Sequence, residues 1–153
     1  MASVVSSILD ACNTQAQSVA GLSSSTIFQG KKRFLETDNF ENLVRASTAE
    51  TAGYLMLYPG ERESRGQIEV GTLQVIGELF VCVPKDTTTT MDNAFSFVES
   101  VTVALQQESA FYGLGCRPIS CKYKISSDEK LEEGFVVFDI DVVFEAGVIG
   151  GSL

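Results

Sequence analysis

Histidine is absent from all 153 residues, and only 11 basic side chains stand against 20 acidic ones. Without an imidazole, no nucleophile–histidine pair can form and hydrolytic triads are excluded. The four cysteines, Cys12, Cys82, Cys116 and Cys121, form no Cys-x-x-Cys unit. A structural zinc ion would therefore lack a ligand set, and no metal or other cofactor is expected. Each cysteine lies in or beside an apolar segment, where a reduced thiol serves as a small hydrophobe. Neither G-x-G-x-x-G nor G-x-x-x-x-G-K-[ST] occurs, which leaves nucleotide binding without support. No uninterrupted apolar run approaches the ~20 residues needed to cross a bilayer. The opening MASVVSSILDACNTQAQ has neither a cationic start nor a long apolar stretch before Asp10. It does not read as a secretory signal, so a soluble chain made in the cytoplasm is expected.

The scarcity of positive charge bears on partners. A formal net charge of −9 makes an exterior that repels phosphates, so sequence-specific binding of DNA or RNA is not expected. Lys31, Lys32 and Arg33 form the one local basic run, read as a solvated loop or a contact element.

What the chain does have is apolar patterning. Hydrophobic residues make up 44% of a length that suits one domain, residues 1–153, with a sizeable core. Val4, Val5, Ile8, Leu9, Cys12, Ala16 and Val19 recur at helical spacing, ending near Gly21. Residues 54–58 read as a short strand stopped by Pro59 and Gly60, and residues 67–83 as a second strand with a bulge or bend at Gly71. Between them, residues 59–66 form a projecting hairpin tip carrying Glu61, Arg62, Glu63 and Arg65. Thr89 or Thr90 caps a second helix with Phe95, Val98, Val101, Thr102 and Leu105 inward. A further short helix is expected over 38–46. Arg117, Ile119, Cys121, Tyr123 and Ile125 then alternate with polar residues, exposing Lys122 and Lys124.

The sharpest pattern lies at residues 135–145. Val136, Phe138, Ile140, Val142 and Phe144 share one face, and Asp139, Asp141 and Glu145 share the other. The glycine-rich residues 146–153, with Val148 and Ile149, read as a flexible arm. The expected class is α+β: a mostly antiparallel sheet with two main helices packed on it, in the order helix, two strands, helix, two strands.

Asp139 and Asp141 have the chemistry for acid–base work or a hard metal ion, and a metal-dependent α+β enzyme is one reading of that face. Strand alternation alone produces the same spacing, and no Asp-x-Asp-x-Asp-Gly loop surrounds the pair. Phe111 and Tyr112, beside glycines, read either as a core-edge aromatic pair or as a recognition loop. A role resting on association rather than catalysis follows best.

In its layout, with the strand over 73–83, the helix over 91–107 and the terminal alternation FVVFDIDVVFE, the chain resembles tail terminator or tail completion proteins of tailed bacteriophages. The resemblance spans most of the chain outside residues 23–53. It implies a non-enzymatic virion protein forming a ring, usually a hexamer, at the head-tail junction. Such a ring caps the tail tube and joins it to the head side. Its partners would be further copies of itself, the tail tube protein and a head-completion or connector protein, with DNA passing through the lumen. In that family loops and terminal arms make the contacts, which points to the hairpin tip, the Lys31, Lys32, Arg33 run and the C-terminal arm. A lining that must let DNA slide avoids cations. Asp139, Asp141 and Glu145, or Glu61 and Glu63, are therefore expected to face the channel or a subunit boundary. A head-tail adaptor and a tail tube subunit are the neighbouring alternatives.

Overall fold

A computed structural model of the chain describes residues 4–29, 52–64, 69–82, 90–127 and 135–148. Helix α1 (Val4–Ala16) forms where apolar residues recur every three or four positions, and Ile8, Leu9, Cys12 and Ala16 are all buried. The chain then turns through Gly21, whose φ of 99° lies in the left-handed region that favours glycine. Strands β1 (Ile27–Gln29), β2 (Ala52–Ser64) and β3 (Glu69–Cys82) follow, then helix α2 (Thr90–Leu105). Two short 3-10 turns, Glu108–Ala110 and Tyr112–Leu114, lead into β4 (Cys116–Ser127) and β5 (Phe135–Val148).

The fold is α+β, with two helices and a mixed five-stranded sheet of order β1-β2-β3-β5-β4. β1 runs parallel to β2, whereas the β2–β3, β3–β5 and β5–β4 contacts are antiparallel. The parallel contact was not expected, because a strand of only three residues leaves no alternation to read. β5, last in the chain, lies between β3 and β4.

Alternation decides what the helices cover. Val136, Phe138, Ile140, Val142 and Phe144 join Leu73, Val75, Leu79, Val81, Leu55 and Leu57 in the main core, with Val98, Val101 and Leu105 of α2. Phe138 packs against Phe95 and Tyr123, with ring centroids 5.7 and 6.0 Å away. Phe111, just after α2, is fully buried and lies 4.7 Å from the Phe144 ring. Its neighbour Tyr112 is 62% exposed, so the two aromatics do not form one pair.

Several strand features differ from the sequence reading. β2 does not stop at Pro59 and Gly60; its register shifts between Pro59 and Arg62 and pairing with β3 resumes through Ser64. Gln74 supports the irregularity, since its side-chain oxygen accepts a hydrogen bond from the Glu61 N–H at 3.0 Å. A Cβ on Gly60 would collide with the same side chain, so a larger residue there would displace Gln74 from this position. Residues 62–64 of the expected tip are thus paired strand. No bulge occurs at Gly71, which pairs in continuous register with Ser64 and Ala146.

β4 contains a bulge instead, with its register shifting between Pro118 and Ser120. Arg117 therefore leaves the inner side shared by Cys121 and Tyr123, Pro118 is buried, and Ile119 is 47% exposed. Finally, β5 continues to Val148, so residues 146–148 of the expected arm are paired with β3. The expected helix over 38–46, Thr89 and residues 149–153 lie outside the described residues.

Cys12, Cys82 and Cys116 are buried and Cys121 is half-buried, all as free thiols. Burial pushes the Cys116 thiol up to about 11, and burial followed by the nearby Asp141 charge does the same for Cys121. Their ordinary value is 9.0, so between pH 9 and 11 the unfolded chain releases protons that the folded chain retains. Stability that is fully present below pH 9 is then lost as pH rises through 11. Thermal unfolding followed across this range should show a falling midpoint. The fall should be shallower after Cys116→Ala and Cys121→Ala, and an unchanged slope would count against the buried thiols as its source.

Candidate functional site

The face of the sheet turned away from the helices holds the residues of opposite parity, and cross-strand register fixes their neighbours. Asp139 of β5 lies between Glu78 of β3 and Lys124 of β4. Asp141 lies between Ile76 and Lys122, and Glu145 between Thr72 and Arg117. Every acid of β5 on this face thus has a basic residue of β4 directly opposite, an arrangement favourable in a sheet. Arg117 Nη2 reaches Glu145 Oε1 at 3.2 Å, with the two side chains 57% and 36% exposed. At that exposure the pair contributes at most about 1 kcal/mol.

Lys122 and Lys124 are exposed, Asp139 and Asp141 are half-buried, and Glu78 is fully buried. A small cavity of about 310 Å³ is lined by Lys122, Tyr123, Lys124, Asp139 and Asp141. Asp141 Oδ1 is buried without a hydrogen-bond partner. Toward β1 the same face becomes apolar: Met56, Phe80, Cys82 and Val137 are buried, with Phe28, Tyr54 and Tyr58 packed against them.

The sequence reading of a plain acidic face is corrected by this register. Asp139, Asp141 and Glu145 do share a side with Glu78, but three bases accompany them and offset most of the negative field over this part of the face. The signal was present in the sequence. Read backwards, Lys124, Lys122 and Arg117 are spaced by two and then five, against two and then four for Asp139, Asp141 and Glu145. The extra residue is the one inserted by the bulge after Pro118.

The other candidates are only partly brought together. Glu61 and Glu63 are exposed near the end of β2, and Glu63 stands on the same row as Thr72, Glu145 and Arg117. Asp141 and Asp139 lie four and six residues along β5 from Glu145, or ~13–20 Å away. Arg62 pairs through its backbone with Leu73, and Val148 with Glu69. Lys31, Lys32, Arg33, Arg65 and Ile149 lie outside the described residues.

On the opposite side, an open groove of about 750 Å³ runs between the end of α1 and α2, lined by Gln15, Ser18, Ser96, Ser100, Val103 and Gln107 among others. Gln15 closes one end by donating from Nε2 to the Ala104 carbonyl at 3.3 Å. Tyr112 donates its hydroxyl to Glu108 Oε2 at 2.9 Å, and this hydrogen bond is the first cause of its raised phenol pKa.

Among the described residues, no group of three His, Cys, Asp or Glu is placed to hold a metal ion. No helix among them is long and apolar enough to cross a membrane. No protein-family model matches the chain, and no curated protein matches its sequence.

Proposed function

We propose that the chain is a non-enzymatic virion protein of a tailed bacteriophage, one that assembles a ring, ends the tail tube and joins it to the head side. The observation that supports this reading is the gathering of candidate contact groups at one end of the sheet. There the end of the β2–β3 hairpin with Glu63, the Arg117–Glu145 pair and the last residues of β5 occupy adjacent rows. Strands rise ~3.3 Å per residue, so four neighbouring strands present these rows as one rigid edge rather than as separate loops. Such an edge suits repeated contact with copies of the same chain and with the tube below.

Of the two places expected for Glu61 and Glu63, which are exposed, the subunit boundary is the one this reading assigns them. Asp139, Asp141 and Glu145 each face a base across β4 and so offer DNA little net repulsion. Partners follow from the reading: the tail tube protein, a head-completion or connector protein, and DNA passing without sequence-specific contact. Native mass spectrometry of the purified protein tests it. A closed ring is expected, with six copies as the resemblance implies, and a monomer at micromolar concentration would overturn the proposal.

A further inference from the structure

The two sides of the sheet differ in charge. β4 is an edge strand: among the described residues no other strand lies along its outer side. It exposes Lys122 and Lys124, together with Ile119 and Ile125 at 47% and 38%. At the opposite side, among the described residues, β1 covers β2 at Leu55, Met56 and Leu57, and the end of β2 beyond it carries the exposed acids Glu61 and Glu63.

Lysines, a proline and a bulge are also the devices by which sheet edges resist pairing. In β4 the proline and the first bulge are confined to residues 118–120, and the ladder to β5 is regular from Ser120 to Ile125. Two β4 edges brought together would set lysines against lysines, which is unfavourable across a ladder. The edge is therefore closed to its own kind and complementary to an acidic strand.

Direction and register agree with that complementarity. β2 is antiparallel to β3, β3 to β5 and β5 to β4, so β2 and β4 run in opposite senses. A neighbour arriving in the same orientation thus presents its β2 antiparallel to β4. The register that sets Glu63, in the regular stretch of β2 from Arg62 to Ser64, against Lys122 brings Glu61, at the irregularity just before it, toward Lys124. It shifts one sheet along the next, and a stagger of this kind is what closing sheets into a cylinder requires. Contacts between two different surfaces, repeated by rotation, generate rings.

From this we infer that β4 is the site at which a second copy of the chain adds the end of its β2 as a further antiparallel strand, with Glu61 and Glu63 of the neighbour against Lys124 and Lys122. The inference rests on the ring reading and specifies the seam between subunits.

Two charge-reversed variants test it, Lys122→Glu with Lys124→Glu, and Glu61→Lys with Glu63→Lys. Each alone should weaken self-association at least ~10-fold, because reversed cross-strand pairs repel. An equimolar mixture should restore assembly, since each variant then offers the other a complementary edge. If the wild type forms rings but the Glu61→Lys, Glu63→Lys variant assembles unaided, or mixing restores nothing, the seam is wrong and the ring reading survives. A monomeric wild type overturns both.

The lysine-to-glutamate variant places acids opposite Asp141 and Asp139, so its fold is checked by thermal unfolding. Should it fail to fold, Lys122→Gln with Lys124→Gln replaces it, and hydrogen exchange on the wild type gives an independent readout. Amides in residues 120–125 should exchange at least ~10-fold more slowly in the assembly than in the diluted chain. Equal rates would overturn the inference.

Discussion

Replacing Phe138 with alanine is expected to cost about 3–5 kcal/mol of stability, the range for removing a fully buried aromatic ring. Phe138 is 0% exposed, sits in an interior strand and packs against the rings of Phe95 and Tyr123. Its cross-strand neighbours are Leu79 of β3 and Ile125 of β4. The cavity left behind would adjoin strands on both sides and α2 above, and such a site relaxes poorly because no neighbour can move alone. For a chain of this length each kcal/mol shifts the unfolding midpoint by roughly 2–4 °C, so calorimetry should record a fall of about 10 °C or more. Ile125→Ala, on the same row but at the 38% exposed edge, is the internal comparison and should cost far less. Similar losses at both positions would contradict the described packing.

Gly53→Val should cost about 1–3 kcal/mol through overpacking. A Cβ at this position would stand 2.9 Å from Cε1 of Phe97 and 3.2 Å from the Phe80 carbonyl oxygen. The Phe97 ring of α2 rests directly on the bare backbone of β2, so any side chain there lifts the helix or turns the ring. Gly77→Ala is the matched control. Its Cβ would meet Ile140 and Leu55 at 3.4 Å, a contact that needs only a small adjustment. Alanine at this strand position also restricts the unfolded chain, so the net change should stay within about 1 kcal/mol. Chemical denaturation of the two variants separates the cases, and equal midpoints would show that Phe97 does not lie over Gly53.

The long, periodic segments were legible from residues alone. The inward set of β5, from Val136 to Phe144, and the stripe of α2, with Val98, Val101 and Leu105, follow from spacing because one face of each element must be buried. Interruptions within strands were harder. Pro59 and Gly60 have the composition of a stop, yet the strand continues because Gln74, 13 residues away, supplies the missing acceptor. Nothing local announces that bond. At Gly71 the reverse applies: a change of phase reads as a bulge, while both neighbouring strands accept the glycine in register.

The charged face was half legible. Alternation places Asp139, Asp141 and Glu145 together, but what they meet depends on which strand lies alongside and on a one-residue insertion at Ile119. Tertiary pairing settles both, and it turned an acidic surface into a nearly balanced one.

The position of β5 has a consequence for how the chain reaches its native state. β3 and β4 never touch as partners and are joined only through the strand made last. During synthesis both must wait, β3 with one flank of amides and carbonyls open to water and β4 with both, until residues 135–148 emerge and slide between them. Insertion of a middle strand closes two ladders in one event, so the final step should be abrupt and highly cooperative. Until then the waiting flanks are the part of the nascent chain most exposed to mispairing.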